Sequence, residues 1–196
     1  MAGVEVEDAW RLRPWAGWLL GPTLLLGGCL VGSINPLFEP SDAEPHPELI
    51  GTWQEADSAS EWRFAQGEGA SYTLSYNEGE GEAQRFDAIL APIGDQLFIQ
   101  LSPQDKLGAG LLLGAHMVPL YSFGQVTLED ESLTLAFLSV GWAQENLSPK
   151  DYFVPEIGQQ AGLVTFLSQK ELRRWVEGIS ENESAFELRI RLRRAQ

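Results

Sequence analysis

The feature that most constrains this chain is an alternation of period two, repeated in short runs and broken at close intervals by turn residues. Tyr72, Leu74 and Tyr76 alternate with Ser71, Thr73 and Ser75; Phe86, Ala88 and Leu90 alternate with Arg85, Asp87 and Ile89. Leu97, Ile99 and Leu101, and later Leu133, Leu135 and Phe137, continue the pattern. Successive residues of a strand point to opposite faces, so such runs form half-buried strands. Between them lie Gln66-Gly67-Glu68-Gly69, Glu78-Gly79-Glu80-Gly81-Glu82, Gly94-Asp95 and Glu129-Asp130-Glu131. Connections this short make antiparallel neighbours. The pattern predicts strands over 49–55, 60–66, 70–77, 83–91, 96–102, 111–121, 124–129, 132–138, 162–167 and 185–193. In the last of them Phe186, Leu188, Ile190 and Leu192 share one face, and Arg189, Arg191 and Arg193 share the other.

Two helical segments interrupt the strands. Ser168-Gln169-Lys170-Glu171 has the spacing of a capping box, and Leu172, Trp175, Val176 and Ile179 then fall on one helical face, which predicts a helix over 169–179. A second, shorter helix is expected within Gly141–Leu147, stopped by Pro149. Many antiparallel strands with a late helix and a return strand imply a mainly β fold. It is expected to be an antiparallel barrel or strongly curved sheet with one or two short helices, because closure removes exposed strand edges.

The N-terminal region has a different character. Arg11 and Arg13 precede an uncharged run from Trp15 to Gly28, the order of basic, apolar and then small residues that marks an export signal. Gly17, Gly21 and Pro22 interrupt this run, and it is too short for a membrane span of about 20 apolar residues. Cys29 is the only cysteine, which excludes an intramolecular disulfide, a redox pair and a Cys-rich zinc site. Leu26-Gly27-Gly28-Cys29 resembles the lipobox of bacterial lipoproteins. The resemblance implies a signal peptide over 1–28, lipidation of Cys29 and a membrane partner reached through that lipid. Leu30, rather than Asp, follows the cysteine, and in Gram-negative lipoproteins this implies the outer membrane. Residues 29–47 contain Gly32, Ser33, Pro36, Pro40, Ser41, Pro45 and Pro47 and are expected to be an extended tether, leaving 48–196 as one β-rich domain.

The body is acidic. Of a net charge of −15, the stretch from Glu39 to Glu156 carries 20 Asp and Glu against four basic residues, which repels phosphate backbones and excludes nucleic acid as a natural partner. The usual catalytic and nucleotide-binding motifs are absent. Asp42, Glu44, His46 and Glu48 alternate and would share a side of an extended chain, as a metal site or as a solvated spacer. Glu78, Glu80 and Glu82 form either a hard-cation cluster or a solvated hairpin tip. His116 is the one histidine outside the tether and, with Tyr121 or a nearby acid, the only base open to a nucleophile-based enzyme; otherwise it is a hydrogen-bonded structural residue. Trp53, Trp62, Tyr72, Tyr76, Phe98, Trp142 and Tyr152 either line a pocket or fill a core.

Leu49-Ile50-Gly51-Thr52-Trp53 resembles the G-x-W signature that opens lipocalin-like barrels. In that family the Trp packs at the barrel base against an Arg of the last strand, so the resemblance implies a base built from Trp53 with Arg189, Arg191 or Arg193. The series Gly51-Thr52-Trp53, Trp62-Arg63-Phe64, Phe86-Asp87-Ala88, Leu97-Phe98-Ile99 and His116-Met117-Val118-Pro119, followed by the capped helix, is similar to a family of uncharacterised bacterial lipoproteins with lipocalin-like features. It implies no activity, catalytic residue or cofactor. Two functions are expected of the chain: a binding module for an apolar or amphipathic small molecule, which the opening Gly51-Thr52-Trp53 and the aromatic-rich strands favour, or an interaction protein whose exposed strand edge or loops dock another envelope component, which the lack of a polar constellation, the long tether and the polar segment Gln144 to Gln160 favour.

Overall fold

The computed structural model describes residues 30–56, 58–79, 81–104, 120–157 and 160–195. Cys29, Glu80, His116 and most of the expected strand over 111–121 lie outside the described residues.

After a short strand β1 (Val31–Ser33), the chain runs up and down through β2 (Gly51–Glu55), β3 (Glu61–Gln66), β4 (Tyr72–Asn77), β5 (Gln84–Ile93), β6 (Gln96–Pro103), β7 (Tyr121–Glu129) and β8 (Ser132–Phe137). Helix α1 (Val140–Asn146), strands β9 (Tyr152–Phe153), β10 (Glu156–Ile157), β11 (Gln160–Ala161) and β12 (Leu163–Thr165), and helix α2 (Gln169–Ile179) follow before β13 (Leu188–Arg194) returns. β13 enters between β8 and β2, and β6 pairs with β7, so β2 to β8 together with β13 close into an eight-stranded antiparallel barrel. Closure pairs every wall strand on both sides, which is the solution that the alternating pattern demands.

The inner face is a single apolar cluster that includes Trp53, Trp62, Phe64, Tyr72, Leu74, Leu90, Ile99, Leu135 and Leu192. A second core lies outside the wall, where Ala91, Phe98, Phe123 and Ala136 of β5 to β8 meet Ala143 of α1, Leu172 and Val176 of α2, and Phe186. This double burial explains why β6 reads as a continuous apolar run at Leu97-Phe98-Ile99: Ile99 faces the barrel and Phe98 faces the helices. Each large side chain removed from water in this way stabilises the fold by about 1.5–3 kcal/mol. At β7 the wall accommodates a close approach, since a Cβ on Gly124 would sit 2.7 Å from the carbonyl oxygen of Ala136.

The expected tether is a correction. Residues 30–49 form a strap packed along the outside of the barrel. β1 pairs with β7 and β12, and Leu37 and Phe38 are 0% and 1% exposed. Asn35 Nδ2 donates to Leu167 O (2.8 Å), Glu44 N to Leu90 O (2.8 Å) and His46 N to the Tyr72 hydroxyl (2.6 Å). Short 3-10 turns at Pro40–Asp42 and Pro47–Leu49 bend the strap onto the base. The prolines stiffen the segment, while Val31, Leu37, Phe38 and Leu49 anchor it, so its composition misrepresented its burial. The globular body therefore includes residues from Leu30 onward. The polar segment over 144–160, expected as a loop, holds the end of α1 and the short strands β9 and β10.

Candidate functional site at the barrel mouth

Over most of its length the barrel is filled: Trp53, Phe64, Tyr72, Leu74, Leu90 and Ile99 are each under 2% exposed. At one end, the base, Trp53 Nε1 donates to Leu49 O (2.9 Å) and the guanidinium of Arg194 lies 4.3 Å from the centre of the Trp53 ring. The same guanidinium donates to Glu48 O (2.6 Å), Ile50 O (3.0 Å) and Asp130 O (3.3 Å), which fastens the strap, β2 and the β7–β8 turn together. Gly51 has φ +142°, and a Cβ there would stand 2.7 Å from Arg194 Nη1, so the glycine serves both backbone and cation.

The expected partners of Trp53 are thereby corrected. Arg189, Arg191 and Arg193 alternate with Ile190 and Leu192 and are exposed on the outer face, where a ring buried inside is out of reach. Arg194 shares the inward parity of Leu192 and is paired in register with Trp53. Arg189 borders an open polar groove of about 260 Å³ with Gln96, Thr134 and Glu183.

The opposite end, the mouth, is not filled. A cavity of about 170 Å³ lies between Trp62, Leu74, Phe86, Leu101 and Phe137 of the inner face, with Leu30 of the strap completing its wall. Glu78, Gln84 and Ser122 supply its polar atoms. Tyr76 also lines it, with its ring 4.7 Å from that of Trp62 and its hydroxyl donating to Glu78 Oε1 at 2.9 Å. Burial, reinforced by the hydrogen bond to Glu78, raises the Tyr76 hydroxyl well above the usual tyrosine range and keeps it a donor. Trp62 is 4% exposed, and its Nε1 has no acceptor among the described residues. An apolar cavity of roughly 150 Å³ holds a benzene molecule, whereas drug-sized ligands occupy about 300–1,000 Å³. The mouth thus has room for one ring or the end of an alkyl chain.

Of the aromatic residues singled out in the sequence, Trp62 and Tyr76 line this cavity, Trp53 and Tyr72 fill the barrel, and Phe98, Trp142 and Tyr152 belong to the outer core. The alternating acids of the strap are separated: Asp42 accepts from Arg173 at 3.2 Å, His46 Nδ1 meets Glu48 at 3.1 Å, and Glu44 stands in neither pair. Among the described residues no group of three or more His, Cys, Asp or Glu is placed to hold a metal. Leu30, Gln84 and Ser122 were not singled out in the sequence; the parity of Ser122 relative to Gly124 and Val126 was the signal available for one of them.

The chain matches no protein-family model, no curated protein and no solved structure. Among the described residues no helix is long and apolar enough to cross a membrane.

Proposed function

We propose that this chain is a lipid-anchored lipoprotein of the bacterial cell envelope, held at the outer membrane through Cys29, whose barrel takes the apolar part of a small amphipathic molecule. The observation that carries this reading is the cavity of about 170 Å³ with apolar walls and a polar rim at Glu78, Gln84 and Ser122. It combines hydrophobic burial with a few fixed polar groups, which is the chemistry of a small-molecule site. No catalytic group or cofactor enters this reading. Displacement of a fluorescent fatty acid tests it, with native mass spectrometry of the extracted protein as a second readout. Displaceable binding that Leu101→Trp removes supports the reading, and a chain that retains no probe overturns it.

A second reading, docking of another envelope component, has one observation in its favour. Phe153 and Phe166 stack with centroids 5.3 Å apart while 45% and 43% exposed, and Val154 beside them is 41% exposed. Crosslinking in intact cells would capture one recurrent partner there under this reading, and only scattered abundant neighbours under the first.

A further inference from the structure

We infer that the mouth of the barrel faces the bilayer and that its cavity takes up the end of an acyl chain from a phospholipid of that bilayer. This rests on the reading of Cys29 as the lipidated residue.

The first observation is where the chain enters the fold. Leu30 lines the mouth cavity, pairs with Ser139, and its carbonyl accepts from Leu163 N at 3.4 Å. Consecutive Cα atoms are about 3.8 Å apart, so an anchor on Cys29 begins within one residue of the cavity wall. The strap beyond Leu30 offers no slack, because β1 is hydrogen-bonded to β7 and β12. An anchored barrel therefore stands mouth first on its membrane. Ile34 and Leu120, both exposed, flank this end, where Ser33 pairs with Tyr121.

The second observation concerns the cavity itself. Its volume of about 170 Å³ suits the end of a chain, and a lipid that inserts only one end keeps the rest of itself in the bilayer, which requires mouth and membrane to be in contact. Trp62, Leu74, Phe86, Leu101 and Phe137 give the wall the apolar character that the hydrocarbon of a chain end requires. Glu78 at the rim disfavours an anionic headgroup, so a zwitterionic phospholipid is the fitting donor of the chain.

The full chain, purified with its anchor and reconstituted into phosphatidylcholine vesicles that contain a phospholipid with a diazirine near the chain end, tests this. Crosslinks are expected on peptides carrying Trp62, Phe86 and Leu101. A Gly-Ser spacer of about 12 residues between Cys29 and Leu30, reaching roughly 20 Å, should cut that labelling several-fold while leaving lipidation intact. Crosslinks concentrated on the base at Gly51 or Arg194, an unlabelled mouth on a lipidated chain, or labelling that ignores the spacer would each overturn the inference while leaving the anchor standing. An N-terminal mass showing no lipid on Cys29 would overturn both.

Discussion

Phe38 and Gln100 exchange hydrogen bonds in both directions: Phe38 N donates to Gln100 Oε1 at 2.9 Å, and Gln100 Nε2 donates to Phe38 O at 3.3 Å. The same Oε1 accepts from Leu37 N at 2.5 Å. A single side-chain amide on the outer face of β6 thus gives the strap the pairing that a neighbouring strand would otherwise supply. Gln100 is only 3% exposed, so these bonds are made away from water, where leaving them unmade is expensive.

Gln100→Leu keeps the volume and removes all three bonds, leaving two buried N–H groups unmet. At about 1–3 kcal/mol for each unmet group, the chain should lose about 2–6 kcal/mol. For a domain of this size that lowers the thermal midpoint by several degrees, readable by circular dichroism. An unchanged midpoint would mean that the strap is not held through Gln100.

Arg194→Lys should destabilise the base by about 1–3 kcal/mol, because an ammonium group cannot lie over Trp53 and reach three separate carbonyls at once. Gly51→Ala should do comparable damage from the other side, since its Cβ would collide with Arg194 Nη1. Urea unfolding of the two single variants and the double variant provides the check. Strictly additive losses would show that the two residues do not share one site.

How much of this was legible depended on whether the physics was local. The strands over 60–66, 70–77 and 132–138 agree with β3, β4 and β8 to within about two residues, because their alternation follows from facing one core, and α2 spans the predicted 169–179. Leu30 and Gln100 were not legible, because their roles depend on segments that are far apart in the sequence, 62 positions in the pairing of Gln100 with Phe38. The partner of Trp53 lies between these cases. Period-two parity places Arg194 with Leu192 on the inner face, but the resemblance directed attention to the arginines that alternate with the apolar row. The strap misled for another reason: four prolines within 36–47 read as solvated spacer, although prolines equally suit a rigid segment whose N–H groups are few.

The capping box at α2 gives a prediction with a pH signature. Ser168 N and Oγ both donate to Glu171 Oε2, at 3.0 and 2.5 Å, and these bonds lower the Glu171 carboxyl below its ordinary 4.5. A carboxyl whose folded value is depressed contributes stability above its unfolded value, and that contribution is lost as pH falls through the folded value. Ser168→Ala should cost about 1 kcal/mol at neutral pH. Glu171→Gln should flatten the acid limb of the stability profile below pH 4.5. Profiles that superimpose for Glu171→Gln and the parent would remove Glu171 from the cap.

Under the proposed anchoring, Cys29→Ser carries the sharpest expected loss, because Cys29 is the only cysteine in the sequence. Lipid transfer to this position needs a thiolate nucleophile, and a hydroxyl does not replace it. A diacyl or triacyl anchor contributes about 0.8 kcal/mol for each buried methylene, ample for stable attachment, whereas a chain of net charge −15 is repelled by anionic lipid. The parent chain should therefore incorporate a palmitate analogue and partition into detergent, and the Cys29→Ser chain should do neither. Because β1 and Gln100 hold the strap without help from the anchor, the variant should keep its fold and its far-UV spectrum unchanged. Its mouth cavity should still take a soluble short-chain amphiphile. An unlabelled parent whose mature N-terminus lies elsewhere would return Cys29 to a lone thiol and leave the barrel without its membrane.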